Sequence, residues 1–145
     1  MLPLIKLVHR LRNWVIRDQS AARPSDSDTD PLTMTNFEQR MYPFITHHFV
    51  EPPYRRNHWS LNTLAVHPAY QNRGAGRELV AWGMERARAD GLPAGVIAAK
   101  GREMFYRRCG FDLLVGWATE GVDVQGNKNP LGVRGIGGGA IMWTR

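Results

Sequence analysis

The chain has one cysteine in 145 residues, Cys109. That excludes an intramolecular disulfide framework and points to a reducing compartment. Long apolar runs are missing too. Nothing approaches the roughly eighteen consecutive apolar residues that span a bilayer, so no membrane partner is expected. The 19 Lys and Arg residues never gather into a solid basic block of the kind that makes a nucleic-acid tail. There is no zinc-ligand cluster, helix-turn-helix pattern or aromatic RNA platform, and no nucleic acid is expected as partner. No G-x-x-x-x-G-K-[ST] occurs, which removes the P-loop.

What is present can build one core: 43% of residues are hydrophobic and 22% charged, and the length suits one domain. The net charge of +6 favours an anionic partner, which charge alone does not identify. The opening "MLPLIKLVHRLRNWVIR" is broken by Lys6, His9 and Arg10 too early for a secretory core. It is Arg-rich and free of acids until Asp18, the pattern of a mitochondrial transit segment; an ordinary docked helix is the plainer reading. A cytoplasmic location is expected, with the mitochondrion as the alternative.

Leu4, Leu7, Val8, Leu11, Trp14 and Val15 repeat at helical spacing, which predicts a helix over residues 4–18. Residues 19–33 read as a polar linker, and residues 35–49 as a second helix interrupted before Pro43. "WSLNTLAV" alternates as a strand, with Trp59, Leu61, Thr63 and Ala65 against Ser60, Asn62, Leu64 and Val66; Pro68 ends it. A helix follows from Gly74 to Asp90. Its stripe is Gly76, Leu79, Val80, Gly83, Met84 and Ala87, and Gly91 with Pro93 stops it. "AGVIAA" reads as a strand buried on both faces. "REMFYRRC" is a short helix capped by Gly110, "FDLLVGWA" a strand, residues 119–134 a loop and "GGGAIMW" the closing strand. The class is α/β: a mixed sheet with helices packed on it, its last strands antiparallel.

The stretch "QNRGAGREL" joins a strand to a helix. A helix N-terminus exposes backbone N–H groups and the positive end of its dipole, and phosphate binds there readily. Glycines remove the Cβ atoms that would hold an anion away, and Arg73 and Arg77 add positive charge. The turn is a candidate pyrophosphate cradle. Its plainer alternative is a tight turn in which Gly76 and Gly83 allow close helix–sheet packing. A dinucleotide fingerprint fits worse, because the third glycine of G-x-G-x-x-G is absent.

"LAVHPAYQNRGAGRELVAWGMERA" resembles motif A of the GNAT superfamily of acyl-CoA N-acyltransferases, whose pattern [Q/R]-x-x-G-x-[G/A] is met by Gln71, Asn72, Arg73, Gly74, Ala75 and Gly76. About thirty residues on, Tyr106 followed by Gly110 and Phe111 in "FYRRCGF" resembles the family's second landmark. The likeness covers residues 59–145 and is nearest the fungal-type proteins. It implies a GNAT-like fold with residues 59–145 as the acetyl-CoA-binding core. It also implies acetyl-CoA as co-substrate, an amine-bearing acceptor as the other partner, and no metal. Cofactor contacts would come from Leu64, Ala65 and Val66 along the pantetheine arm, between two splayed strands, and from Gln71, Asn72, Arg73, Gly74, Ala75, Gly76 and Arg77 around the pyrophosphate. Tyr106 would be the catalytic acid for the departing thiolate.

No base stands out. Some relatives carry histidines where this chain has Ser60 and Asn62. His47, His48, His58, Glu51 and a water chain are the alternatives, while His67 reads as structural or cofactor-adjacent. Cys109, with no neighbouring histidine, is not expected to be a nucleophile. Ala99 and Lys100 stand where many members place Asn, and Lys100 reads as surface. Residues 1–58 are short for the N-terminal half of such a fold, with its strands apparently reduced or missing. A truncated acceptor half would leave a CoA-binding protein with little activity. It would also leave a sheet edge that a second copy could cover, making a homodimer.

Overall fold

The structure, a computed structural model, describes residues 12–16 and 37–145. Five strands form one sheet in the order β1-β2-β3-β5-β4. They are β1 (Arg12–Ile16), β2 (Trp59–Leu64), β3 (Ala94–Ala98), β4 (Leu113–Trp117) and β5 (Ala140–Trp143). The helices are α1 (Phe37–Ile45), α2 (His47–Val50), α3 (Ala75–Ala89), α4 (Glu103–Arg108) and α5 (Pro130–Val133). β1, β2 and β3 run parallel, and β5 lies antiparallel between β3 and β4. The expected mixed α/β sheet is therefore present. No helix among the described residues is long and apolar enough to cross a membrane.

The helix expected over residues 4–18 is a strand where it is described: Arg12–Ile16 pairs with β2. Trp14, Val15 and Ile16 are aromatic and β-branched types that suit a pleated surface, and the open edge of β2 supplies the backbone partners that local periodicity cannot see. The rest of that helix, and the linker over residues 19–33, lie outside the described residues. Among the described residues, one strand precedes β2. The interruption before Pro43 does not occur either. α1 runs through Pro43 to Ile45. Proline removes one N–H from the ladder, but Met41, Phe44 and Ile45 are buried against Ile141 and Trp143, and the Thr46 amide still reaches the Tyr42 carbonyl at 2.9 Å.

Each face of the sheet carries its own core. On one face Trp59, Leu61, Val96, Ala98 and Met142 meet Val80, Met84 and Ala87 of α3 and Phe111 beyond α4. On the other, Ile141 and Trp143 of β5 meet Met41, Phe44 and Ile45 of α1. The predicted stripe of α3 is the buried one: Val80, Gly83, Met84 and Ala87 face inward. The all-apolar β3 is less enclosed than expected, because Ile97, on the α1 face, is 43% exposed.

The simple alternation read from β2 fails at Asn62. Trp14 pairs with Leu61 and Val15 with Thr63, so Asn62 is an extra residue, a bulge on β2. A bulge reverses the parity of everything beyond it. Leu64, not Thr63, therefore joins Trp59 and Leu61 at the core, and Thr63 is exposed.

The β4–β5 connection is ordered by Asn129, which is buried. Its Nδ2 donates to the Ala118 carbonyl at 3.0 Å and the Glu120 carbonyl at 3.2 Å, and its Oδ1 accepts from the Leu131 amide at 3.0 Å. Asn129→Asp keeps the shape but sets a carboxylate against two carbonyls. We expect a loss of about 1–3 kcal/mol, read as a lower urea midpoint at pH 7; an unchanged midpoint would mean the loop is held by other contacts.

Candidate functional site

β2 and β3 touch along only three residue pairs: Trp59 with Ala94, Ser60 with Gly95, and Leu61 with Val96. Past that point Thr63 and Leu64 pair with β1 alone, and Ile97 and Ala98 with β5 alone. The parallel strands part where the Asn62 bulge sits. The segment Leu64–Val66 thus leaves the sheet half-buried beside a seam.

The chain then makes a 3-10 turn, Pro68–Tyr70, capped by the His67 ring, whose Nδ1 accepts from the Ala69 amide at 3.2 Å. His67 is thus structural. The turn into α3 follows. Asn72 has φ of 60° and Gly74 φ of 91°, both left-handed. Asn tolerates that region better than most side chains, and Gly does so freely. Nothing lies within 4 Å of where a Gly74 Cβ would stand, so glycine is needed there for its backbone angle. At Gly76 a Cβ would meet Phe105 at 3.6 Å and Val66 at 3.7 Å, ordinary contact distances. Close packing therefore does not require glycine at 76, which weakens the alternative reading of this turn.

The Gly74 carbonyl accepts from the amides of Arg77 at 2.9 Å and Glu78 at 3.1 Å. The amides of Gly74, Ala75 and Gly76 have no acceptor among the described residues. These free donors open at a helix N-terminus beside the exposed side chains of Arg73 and Arg77, where an anion is favoured. Gln71 braces the site: its Nε2 donates to the Val66 carbonyl at 2.9 Å. The Val66 N–H has no acceptor among the described residues. Strand end, turn and α4 converge, since Gly76 lies between Val66 and Phe105.

Tyr106 follows Phe105 on α4, their ring centroids 5.1 Å apart, and stands edge-on to Phe111 at 5.9 Å. Burial pushes its phenol above the usual 10.0, the nearby Cys109 adds to this and Arg102 opposes it. Burial likewise raises the Cys109 thiol, with Arg77 pulling the other way, the reverse of an activated nucleophile. Lys100 is exposed and lies along the Gly137–Gly138 segment.

The residues considered as bases are scattered. Ser60 Oγ donates to Asn62 Oδ1 at 2.8 Å. His58 is buried just before β2, and its Nδ1 donates to the Arg55 carbonyl at 2.6 Å. The His47 and His48 rings on α2 lie with centroids 3.8 Å apart, tilted by 42°. The His48 ring fills the notch over Gly116, 2.6 Å from where a Cβ would stand. Burial lowers both His48 and His58; His47 and Arg55 lower His48 further while Glu51 opposes, and the Arg55 carbonyl opposes at His58. Among the described residues, no three His, Cys, Asp or Glu side chains gather as a metal site would need.

An α/β protein with a seam between parallel strands and a turn of unpaired amides at its mouth is the class defined so far. The acetyltransferase (GNAT) family model matches residues 9–111, and the chain belongs to that family. The family moves an acyl group from an acyl-CoA to an acceptor. Comparison with curated proteins and with solved structures gives no match.

Two outcomes follow from this geometry. Gly74→Ala should cost about 1–2 kcal/mol through its left-handed angle, whereas Gly76→Ala should leave the thermal midpoint unchanged or higher; the reverse order would remove the backbone account of the turn. His48 and His58 both titrate below 6.5 in the folded chain. The unfolded chain therefore takes up more protons as pH falls, and stability should drop below pH 6.5. Melting at pH 7.5 and 5.5 checks this, and His58→Asn should flatten the difference.

Proposed function

We propose that the chain is an N-acetyltransferase that moves the acetyl group of acetyl-CoA onto an amine by direct attack. The observation that carries this reading is the left-handed turn at Gly74, which opens three free amides at the end of a strand that has just left its neighbour. The amides of Gly74, Ala75 and Gly76 would hold the pyrophosphate, with Arg73 and Arg77 supplying charge; the Arg77 amide is already engaged by Gly74, so its guanidinium is the useful group. Asn72 would shape the turn and Gln71 would hold it to the strand. Leu64, Ala65 and Val66 would line the pantetheine arm along the seam, and the free Val66 N–H is the donor that suits an amide carbonyl. When bound, acetyl-CoA supplies an activated thioester carbonyl.

Tyr106 would give its proton to the departing sulfur. With a phenol above 10.0 and a thiol near 8.5, full transfer is uphill at equilibrium. Its contribution is thus a placed hydrogen bond that strengthens as negative charge grows on sulfur. The amine must arrive unprotonated. Water, or His47, His48 and Glu51 on the α1 face, would take its proton. His58 is buried, with its Nδ1 engaged by the Arg55 carbonyl.

A CoA-binding protein with weak catalysis is the second reading, favoured by the hydrogen bond that ties Ser60 to Asn62 and leaves β2 without a base. Calorimetry with acetyl-CoA on wild type and on Gly74→Glu/Gly76→Glu tests the cradle. Micromolar binding that the double variant loses is expected; no binding by folded wild type would end the enzyme reading. An amine panel then separates transfer from binding alone. With an accepted amine, Tyr106→Phe should lower kcat about a hundredfold and leave acetyl-CoA affinity intact. Tyr106→Phe with wild-type kcat would remove Tyr106 as the acid.

A further inference from the structure

Arg55 has no role in the mechanism above, yet it is the most unusual cation in the fold. It is only 5% exposed. A buried charge is normally kept only where a carboxylate or a full set of hydrogen bonds meets it. Arg55 has neither among the described residues. Glu51, four positions earlier, is exposed and makes no ion pair with it.

The side chain is nevertheless held firmly. Its guanidinium carbon stands 5.0 Å from the Trp143 ring and 5.4 Å from the Tyr54 ring. Nη1 donates to the His48 carbonyl at 3.3 Å. The Arg55 carbonyl is fixed by His58 Nδ1, and the His58 ring itself stands edge-on to Trp143 at 4.9 Å. One edge of the guanidinium remains unused. Nε is buried with no hydrogen-bond partner, and Nη2, on the same edge, has no acceptor among the described residues. Nε and Nη2 form the fork that takes a carboxylate side-on through two parallel bonds. The Trp143 Nε1 beside it is also buried and unpartnered.

The place matters as much as the fork. Trp143 covers Gly95, whose Cβ would stand 3.0 Å from the indole. Gly95 pairs with Ser60, one residue before the last β2–β3 pair. Arg55 thus sits on the α1 face, roughly 10 Å from the seam by strand spacing. The donor turn belongs to α3, on the opposite face.

We infer that Arg55 anchors a carboxylate of the acceptor, so that the amine acetylated by this chain is a carboxylate-bearing one, an amino acid or a short peptide. This rests on the acetyltransferase reading and names its substrate class. Lysine would not replace Arg55, because an ammonium lacks the planar fork.

The test uses glycine, β-alanine, glycylglycine and triglycine, each against its own C-terminal amide, with wild type, Arg55→Lys and Arg55→Gln. In wild type at least one acid should beat its amide by about tenfold or more in kcat/KM, mainly through KM. Arg55→Gln should abolish that preference, Arg55→Lys should keep little of it, and the amides should react alike in all three. Equal use of acids and amides by wild type would overturn the inference, as would an Arg55→Gln variant that slows both alike while still binding acetyl-CoA. Calorimetry of the same acids and amides on wild type needs neither turnover nor a folded variant. Acid-selective binding without acetyl transfer would keep the Arg55 site and sink the acetyltransferase reading; acetyl transfer with no selectivity would do the reverse.

Discussion

Everything that makes this sheet more than a scaffold depends on how briefly β2 and β3 touch. Two parallel strands in a packed sheet ordinarily stay paired along their length, because each unpaired N–H or C=O away from water is unfavourable. Here pairing stops after three residues, and the extra residue Asn62 sits at the stopping point. The bulge does two things together. It lets the strand ends separate, and by reversing the side-chain parity it returns Leu64 to the core beside Trp59 and Leu61. The separated end is held in place: Gln71 reaches back to the Val66 carbonyl, and Val66 rests against the start of α3 at Gly76. The free amides of the turn are thereby fixed relative to the seam, which is the preorganisation a phosphate site needs.

How much of this was legible depended on whether the cause was local. The α3 stripe, its glycine entry and its stop at Gly91 rest on neighbours three or four residues away, and they were read correctly. So was the glycine turn that leads into it. The bulge was not, because either parity of "WSLNTLAV" is chemically acceptable. Thr63 and Ala65 are small enough to face inward, and Leu64 and Val66 apolar enough; register with β1 decides, and register is a long-range property. β1 was missed for a related reason, since residues 12–16 fit a helical stripe as well as a strand and only the edge of β2 separates the two. Pro43 misled in the other direction. Its missing N–H argued for a break, but the burial of Phe44 and Ile45 outweighs one lost bond.

Arg55 was the least legible residue of all. In "EPPYRRNH" it reads as one of two solvated arginines in a loop. Arg56 does behave that way, exposed and capping the Val50 carbonyl at 3.1 Å. What separates the two is Trp143, almost ninety positions later, and no short-range pattern announces that contact. The sequence signal that exists is indirect. Gly95 in an otherwise apolar strand marks a close approach, and the indole is what approaches.

The net charge of +6 therefore resolves into cations that act by different physics. Arg73 and Arg77 are exposed at the turn. They raise the local concentration of an anion and are screened by salt over about 8–10 Å. Arg55 is enclosed between aromatic faces, where screening is weak and geometry strict, so it can discriminate among ligands that the outer arginines would merely attract. The sheet stands between them, with α3 and the turn on one face and α1, Trp143 and Arg55 on the other. The seam left by Asn62 is the place where a donor held from one side and an acceptor held from the other could meet.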